Sequence, residues 1–209
     1  MTNHPDIEIL NKKTVYKGFL QVDSYDLRHK KFDGTWTGVL PPREVCDRGP
    51  AVGVLLYDPD RDALVMIEQF RVGSAMVGGP AWMTEIVAGM INPGETPEDV
   101  ARRETLEEAG CTLETLEFIG DYFVSPGAFT EQVFVYCGRV DSRNVPTSGG
   151  LEEEHEDIRI MVVPTDEAIA LMDQNRLRNS LAIIAIGWLA RHRDALRRRW
   201  LNEDVDTTK

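Results

Sequence analysis

The sequence predicts a layered α/β or α+β domain that follows a small antiparallel β unit. Residues 1–48 show short alternating strands broken by turn signals such as Asp33-Gly34. Beyond them, fuller apolar runs alternate with helical patterns, which is typical of a layered domain. We therefore expect an N-terminal β unit over residues 1–48, a main domain over residues 49–202 and a frayed tail at 203–209.

A helix with well-marked ends is predicted near the centre of the main domain. Thr96 suits the N-cap, Pro97 suits the first helical position, and Asp99 stands where a capping box needs it. Gly110 predicts the end of this helix. The other elements are predicted, in chain order, as strands in AVGVLLY, ALVMIEQF, residues 85–89, TLEFIGDYFV, EQVFVYCGRV and IRIMVV, followed by helices from Thr165 to about Gln174 and from Asn179 to about Trp200.

The charge of the chain restricts its partners. With 23 basic and 35 acidic residues the formal net charge is −12, so nucleic acid and anionic membranes are not expected partners. A polyanionic small molecule would need a few placed arginines or bound cations. The N-terminus lacks a signal-peptide pattern, and the three cysteines are widely separated and predict reduced thiols. We expect a cytoplasmic protein.

Three glutamates, Glu104, Glu107 and Glu108, stand at positions i, i+3 and i+4 of the predicted helix. Their side chains therefore share one face. That face also holds Val100 and Ala101, which indicates that it turns toward the protein interior. The helix is thus predicted to bring several carboxylates together beside the core.

A solvent-exposed helix with ion pairs is the alternative, and Arg103 with Glu107 at i, i+4 would support it. However, Glu104 and Glu108 form a like-charge pair, which is unfavourable unless a positive charge lies between them. Carboxylate oxygens suit Mg²⁺ or Mn²⁺, which also bridge to substrate phosphates. The pattern therefore favours a divalent-metal site over a solvent-exposed helix.

Residues 89–111, GMINPGETPEDVARRETLEEAGC, resemble the Nudix box. The box is a glycine, five residues, a glutamate, seven residues, and then Arg-Glu-U-x-Glu-Glu-x-Gly-U with U apolar. Its fixed positions are matched by Gly89, Glu95, Arg103, Glu104, Glu107, Glu108 and Gly110. Thr105 and Cys111 depart from the two U positions, but both are small residues that tolerate burial.

The resemblance implies a Nudix hydrolase, with an α/β/α sandwich, a mixed sheet and two or three Mg²⁺ ions for which Mn²⁺ could substitute. Glu104 and Glu108 would be the principal metal ligands, and Glu107 would be auxiliary. The carbonyl of Ala88 would complete the site. Arg103 would orient the carboxylates, and Glu95 would steady the junction between loop and helix.

Features outside the box are similar to the ADP-ribose pyrophosphatase branch, which also has an N-terminal strand unit. Pro126 lies fifteen residues after Cys111, where members of that branch carry a proline; a generic Pro-Gly turn is the alternative. Residues 151–160, LEEEHEDIRI, match an acidic loop that supplies the general base. The resemblance implies Glu154 as the base and Glu156 as a further metal ligand or second-choice base. A solvated acidic loop is the alternative.

The same resemblance implies a set of substrate contacts. Arginines would bind the pyrophosphate, because their geometry allows bidentate contacts with phosphate, and an aromatic ring would stack on adenine. The expected substrate-binding residues are Phe19 (the adenine stack), Arg43, Glu44, Arg48, Arg71, Met90, Ser125 and Glu131. In such relatives the N-terminal unit contributes to dimerisation, so a homodimer is implied.

The activity implied is Mg²⁺-dependent hydrolysis of ADP-ribose to AMP and ribose 5-phosphate by a metal-bound water, with Glu154, Arg103 and Glu108 as catalytic residues. GDP-mannose or another nucleoside diphosphate sugar is the rival substrate. A non-catalytic ADP-ribose-binding sensor is the rival from a different class of protein. The complete set of box glutamates favours an enzyme over a sensor.

Overall fold

The computed structural model of the protein describes residues 4–201, and for Glu154 it describes the backbone alone. The predicted tail at 203–209 lies outside the described residues. The chain forms two compact units. The first, the N-terminal unit, contains the chain before Ala51 together with Phe123–Gln132. The second, the main unit, contains Ala51–Tyr122 and the chain from Val133 onward.

The N-terminal unit is built on a three-stranded antiparallel sheet. Its strands are β1 (Ile7–Lys17), β2 (Gln21–His29) and β3 (Arg43–Asp47), in that order across the sheet. The segment Phe123–Gln132 attaches to β3, because the Cys46 N–H donates to the Ala128 carbonyl at 2.7 Å and the Cys46 carbonyl accepts from Thr130 at 3.1 Å. This attachment joins residues that are far apart in the sequence.

The main unit contains an eight-stranded mixed sheet. The order is β10-β11-β5-β4-β9-β8, with β6 beside β5 and β7 beside β4. β4 pairs in parallel with β9 but antiparallel with β5 and β7. The strands are β4 (Ala51–Asp58), β5 (Ala63–Phe70), β6 (Trp82–Glu85), β7 (Val87–Met90), β8 (Thr115–Phe123), β9 (Gln132–Arg139), β10 (Ser148–Gly149) and β11 (Ile158–Pro164).

The helices of the main unit begin and end close to the predicted residues. They are α1 (Val72–Met76), α2 (Pro97–Ala109), α3 (Thr165–Asp173) and α4 (Ser180–Trp200), with a 3-10 helix at Glu152–Glu154. At the start of α2, Thr96 and Asp99 form the expected capping box, and Gly110 ends the helix with φ 61°. The short helix α1 was not predicted, since its sequence reads as a loop. Within residues 4–201, no helix is long and apolar enough to span a membrane.

Alternation along β4 distributes the core between two faces of the sheet. Val52, Val54 and Leu56 pack on one face with residues of α2. Leu55 and Tyr57 pack on the other face with residues of α3 and α4. Successive strand residues point to opposite faces, so a strand that is buried throughout must be covered on both sides. The main unit is therefore an α/β/α sandwich with a mixed sheet, which confirms the predicted fold class.

Candidate active site

The carboxylate-bearing face of α2 is turned toward the sheet. Val100 and Ala101 are fully buried, and Glu108 is only 3% exposed. Thr105 and Cys111, the two departures from the box pattern, are also buried. A charged side chain is rarely buried without partners. The side of α2 that faces the sheet and carries these glutamates is therefore the part of the helix with a chemical role.

Glu108 lies against the backbone of β7. Its Oε2 accepts a hydrogen bond from the Ala88 N–H at 3.0 Å. Burial raises the pKa of Glu108 to about 8, and the negative charges of Glu104 and Glu156 contribute to this increase. The hydrogen bond from the Ala88 N–H and the positive charge of Arg71 have the opposite effect. An ionised Glu108 would thus be stabilised by an added cation.

Glu104 occupies the space beside Gly89, where a side chain would collide with it. A Cβ atom at residue 89 would lie 1.7 Å from Glu104 Oε1 and 2.0 Å from its Cδ. Burial raises the pKa of Glu104 to about 6, and the charges of Glu107 and Glu156 add to the effect although Arg103 opposes it. The glycine at the start of the box therefore allows close approach of a carboxylate to β7.

Arg103 connects the carboxylates of the box. Its Nη1 donates to Glu104 at 2.8 Å and to Glu107 at 3.0 Å, and its Nε donates to Glu95 at 3.0 Å. Glu95 also accepts the Asn92 N–H at 2.9 Å, which attaches the loop before α2. These are the contacts that we would expect if Arg103 orients the carboxylates and Glu95 steadies the junction between loop and helix. The backbone carbonyl of Met90 also accepts from Arg103, at 3.4 Å.

Two polar residues that the sequence analysis did not single out, Gln69 and Glu85, lie on the α2 side of the sheet. In both strands the neighbouring positions on the same face are apolar. A polar residue that interrupts such an apolar row is the sequence signal that could have found them. Glu85 is 4% exposed and accepts from Arg71 through Nη2 at 2.8 Å and Nε at 3.2 Å. Arg71, expected to bind pyrophosphate, is thus held by a buried carboxylate.

The acidic loop before β11 contains the expected base and the expected additional ligand. Glu156 accepts from Gln69 Nε2 at 3.0 Å and from the Leu151 N–H at 3.4 Å. The charge of Glu156 helps to raise the pKa of both Glu104 and Glu108, after burial as the main cause. The side chain of Glu154 lies outside the described part of the chain, so its role stays a prediction.

The other expected substrate contacts belong to the N-terminal unit, whereas Arg71 and Met90 belong to the main unit. Phe19, at the turn between β1 and β2, is 96% exposed, and Arg43 and Glu44 are exposed at the start of β3. Arg48 and Glu131 are 3.6 Å apart in an ion pair. The backbone carbonyl of the exposed Ser125 accepts N–H groups from the turn that follows it. Their roles toward a substrate stay predictions.

The donor atoms on α2 fit a hard divalent cation. Among the described residues, no three His, Cys, Asp or Glu side chains are arranged to hold a metal ion by themselves. Mg²⁺ does not require such a cluster, since it commonly takes one or two carboxylates and completes its shell with waters and substrate phosphates. Glu108 is buried and Glu104 is partly buried, and as two carboxylates that repel each other they have the chemistry of such a pair.

Comparisons with known proteins agree with this chemistry. A family model described as the NUDIX domain matches residues 47–182. The ADP-ribose pyrophosphatase of Escherichia coli (strain K12) is 38% identical over 195 residues, 93% of each chain. That of Haemophilus influenzae is 37% identical over 198 residues, covering 93% of this chain and 91% of the relative. A GDP-mannose pyrophosphatase of Pectobacterium atrosepticum is 31% identical over 193 residues, covering 88% and 97%.

A solved structure described as "Crystal structure of ADP compounds hydrolase" has a similar fold. It aligns with a TM-score of 0.68, covers 97% of both chains and is 21% identical. At that level of identity the likeness shows the fold alone, and it supports the α/β/α arrangement described above.

Substitution of Gly89 by alanine is expected to displace Glu104 while the protein still folds, because the three atoms nearest to the new Cβ all belong to that flexible side chain. We predict that hydrolysis of the substrate falls by about 100-fold, as a displacement of about 1 Å in a reacting geometry can cause. Turnover at saturating substrate measures the effect, and the melting temperature checks folding. Gly38→Ala, where an added Cβ meets nothing within 4 Å, is the control. Undiminished turnover in Gly89→Ala would contradict the prediction.

Glu108→Gln is expected to stabilise the protein in the absence of divalent metal. The pKa of Glu108 is raised from 4.5 to about 8. The contribution of the Glu108 side chain to the free energy of unfolding is therefore complete below pH 4.5, and it is lost as the pH rises through 8 and the buried carboxyl ionises. The neutral glutamine avoids that loss. We expect the melting temperature in EDTA at pH 8 to increase by at least about 2–4 °C, the shift produced by about 1 kcal/mol. The exposed Glu167→Gln is the control, and an advantage that does not grow between pH 5 and pH 8 would refute the explanation.

Proposed function

The chain belongs to the Nudix family, and we propose that it is an enzyme that hydrolyses ADP-ribose to AMP and ribose 5-phosphate. The observation that carries the hydrolase chemistry is the pair of carboxylates on α2, the buried Glu108 and the partly buried Glu104, which lies against the backbone of β7. The substrate is supported by relatives with 38% and 37% identity that are ADP-ribose pyrophosphatases.

The proposed cofactor is Mg²⁺, as two or three ions, with Mn²⁺ as a possible substitute. Glu104, Glu107, Glu108, Glu156 and the carbonyl of Ala88 would hold the ions, which when bound would neutralise pyrophosphate charge and make water a stronger nucleophile at neutral pH. The chain contains 35 acidic residues against 23 basic ones. Bound cations would therefore reconcile an acidic protein with a polyanionic substrate.

Two side chains of the protein are proposed to assist the reaction, Arg103 by orienting carboxylates and Glu154 by accepting one proton. Arg103 keeps Glu104 and Glu107 in fixed positions through its two hydrogen bonds. Glu154 would accept a proton from the attacking water as the water oxygen bonds to phosphorus. The bond between that phosphorus and the bridging oxygen then breaks, and AMP and ribose 5-phosphate leave.

Substrate binding is proposed to use the placed arginines and one aromatic ring. Glu85 holds the Nε and Nη2 atoms of Arg71, which fixes its guanidinium for contact with the pyrophosphate. Phe19 is exposed enough for its ring to stack on adenine. The remaining proposed contacts are Arg43, Glu44, Arg48, Met90, Ser125 and Glu131.

GDP-mannose is the rival substrate, because GDP-mannose pyrophosphatases are also similar to this chain. Their identity is lower, at 31% for the relative from Pectobacterium atrosepticum against 38% for the ADP-ribose pyrophosphatase of Escherichia coli. A sensor without turnover is disfavoured, since all the glutamates of the box are retained. The homodimer and the cytoplasmic location stay predictions that rest on the resemblance and on the sequence.

The purified protein is expected to hydrolyse ADP-ribose faster than GDP-mannose, ADP-glucose or NADH when Mg²⁺ is present. The products should be AMP and ribose 5-phosphate, resolved by chromatography. Removal of divalent ions with EDTA should abolish turnover, and added Mg²⁺ should restore it. Glu108→Gln should lose most activity while it remains folded, and Glu167→Gln should keep its activity. Faster hydrolysis of GDP-mannose would overturn the substrate assignment.

Single glutamine substitutions at Glu152, Glu153, Glu154 and Glu156 test which residue of the acidic loop is the base. Glu154→Gln is expected to lower the turnover number by about 100-fold or more, since general base catalysis contributes at least that much. Glu152→Gln and Glu153→Gln should change it far less. A nearly full rate in Glu154→Gln would show that the base is a different residue.

A further inference from the structure

Gln69 occupies an unusual position for a glutamine. Val65, Ile67 and Gln69 alternate along β5, so all three point to the face that α2 covers. Gln69 is 8% exposed. It therefore stands at the end of an apolar row, on the side of the sheet where Glu104 and Glu108 lie.

The hydrogen bonding of Gln69 is one-sided. Its Nε2 donates to Glu156 Oε1 at 3.0 Å, whereas its Oε1 is buried and has no hydrogen-bond partner within the described part of the chain. Reversing the amide would turn Oε1 toward a carboxylate, which is repulsive. The orientation of the Gln69 amide is therefore set by its contact with Glu156 and not by a protein partner of its oxygen among the described residues.

Glu156 is held from two directions. Gln69 contacts one carboxylate oxygen from a rigid strand, and the Leu151 N–H contacts the other from the loop itself at 3.4 Å. The loop from Leu151 to Asp157 thus closes around Glu156. His155 within it has φ 55°, a left-handed conformation that residues other than glycine adopt infrequently.

The two ends of this loop are fixed independently of Gln69. At the start, the Gly150 N–H donates to the Glu107 carbonyl at 3.0 Å, and Gly149 lies so close to Glu108 that a Cβ would be 2.3 Å from its carbonyl oxygen. At the end, Arg159 pairs with Glu68 on β5. Between these ends, Gln69 supplies the contact that joins the Glu156 side chain to the sheet.

We propose that Gln69 is a positioning residue that holds Glu156, and with it the acidic loop, beside the glutamates of α2. The proposal rests on the proposed function, because it assigns the loop to the same hydrolytic site. Glu156 is near enough to that site for its charge to act on both Glu104 and Glu108. Gln69 acts through Glu156, so its loss affects the reacting geometry more than the initial binding of the substrate.

Gln69→Met keeps most of the side-chain volume and removes the amide. We expect its turnover number for ADP-ribose to fall about 10- to 100-fold, as loss of a partner that orients a catalytic group commonly does, while KM stays within about twofold of the wild-type value. The exposed Gln174→Met is the matched control and should behave as the wild type. An equal loss through KM alone, or no loss, would overturn the proposal.

A double-mutant cycle with Glu156→Gln tests whether Gln69 acts through Glu156. If it does, Gln69→Met should add little to the loss already caused by Glu156→Gln. If the turnover number of the double variant fell by the product of the two separate losses, the proposal would be overturned. Melting temperatures of all variants distinguish a local effect from loss of the fold.

Backbone amide exchange of the loop gives a readout that does not depend on activity. In the metal-free protein, Gln69→Met should increase hydrogen exchange across the Leu151–Asp157 peptide and leave exchange in α4 unchanged. Glu156→Ala removes the other partner without disturbing the core and should give the same increase. Unchanged exchange in both variants would overturn the positioning role. If the wild type hydrolysed no nucleoside diphosphate sugar, the proposed function would fail, and the exchange experiment would still decide whether Gln69 holds the loop.

Discussion

Two carboxylates of like charge, Glu104 and Glu108, lie one turn apart on a helix face that is packed against a sheet. This arrangement is unfavourable by itself, since burial raises the pKa of Glu108 to about 8 and that of Glu104 to about 6. A protein keeps such a pair where function needs it and the surrounding fold compensates for it. The residues around α2 accommodate these two carboxylates in the folded protein.

Four features make the arrangement possible. Gly89 has no side chain, so Glu104 can approach β7. The Ala88 N–H donates to Glu108, and Arg103 shares its guanidinium among the remaining carboxylates. The capped start of α2 and the left-handed Gly110 at its end fix the length of the helix. The carboxylates of α2 are thereby gathered at one location, which suits the binding of cations, and only through such cations would it suit a phosphate substrate.

Much of this could be inferred from sequence because it depends on local spacing. The i, i+3, i+4 spacing of the glutamates, the capping residues and Gly110 are read within one helix, and the apolar positions Val100 and Ala101 indicate which face is buried. Gln69 and Glu85 were missed for the opposite reason. Each is a polar residue at a position that faces α2, near the end of its strand. Its role depends on partners, Glu156 and Arg71, that lie 87 and 14 residues away.

The sequence by itself determined the order of the longer strands and helices of the main unit, the ends of α2 and the set of carboxylates on one helix face, because periodicity and capping act over a few residues. It did not predict α1, β10 or the division of the strand near residue 85 into β6 and β7. Tertiary structure alone decided that Arg71 is held by Glu85, that Glu156 is held by Gln69, and that Phe123–Gln132 joins the N-terminal unit. Such contacts form when strands pair in a particular register. A shift of one residue would turn Gln69 and Glu85 to the other face of the sheet, and this register is a property of the whole folded chain.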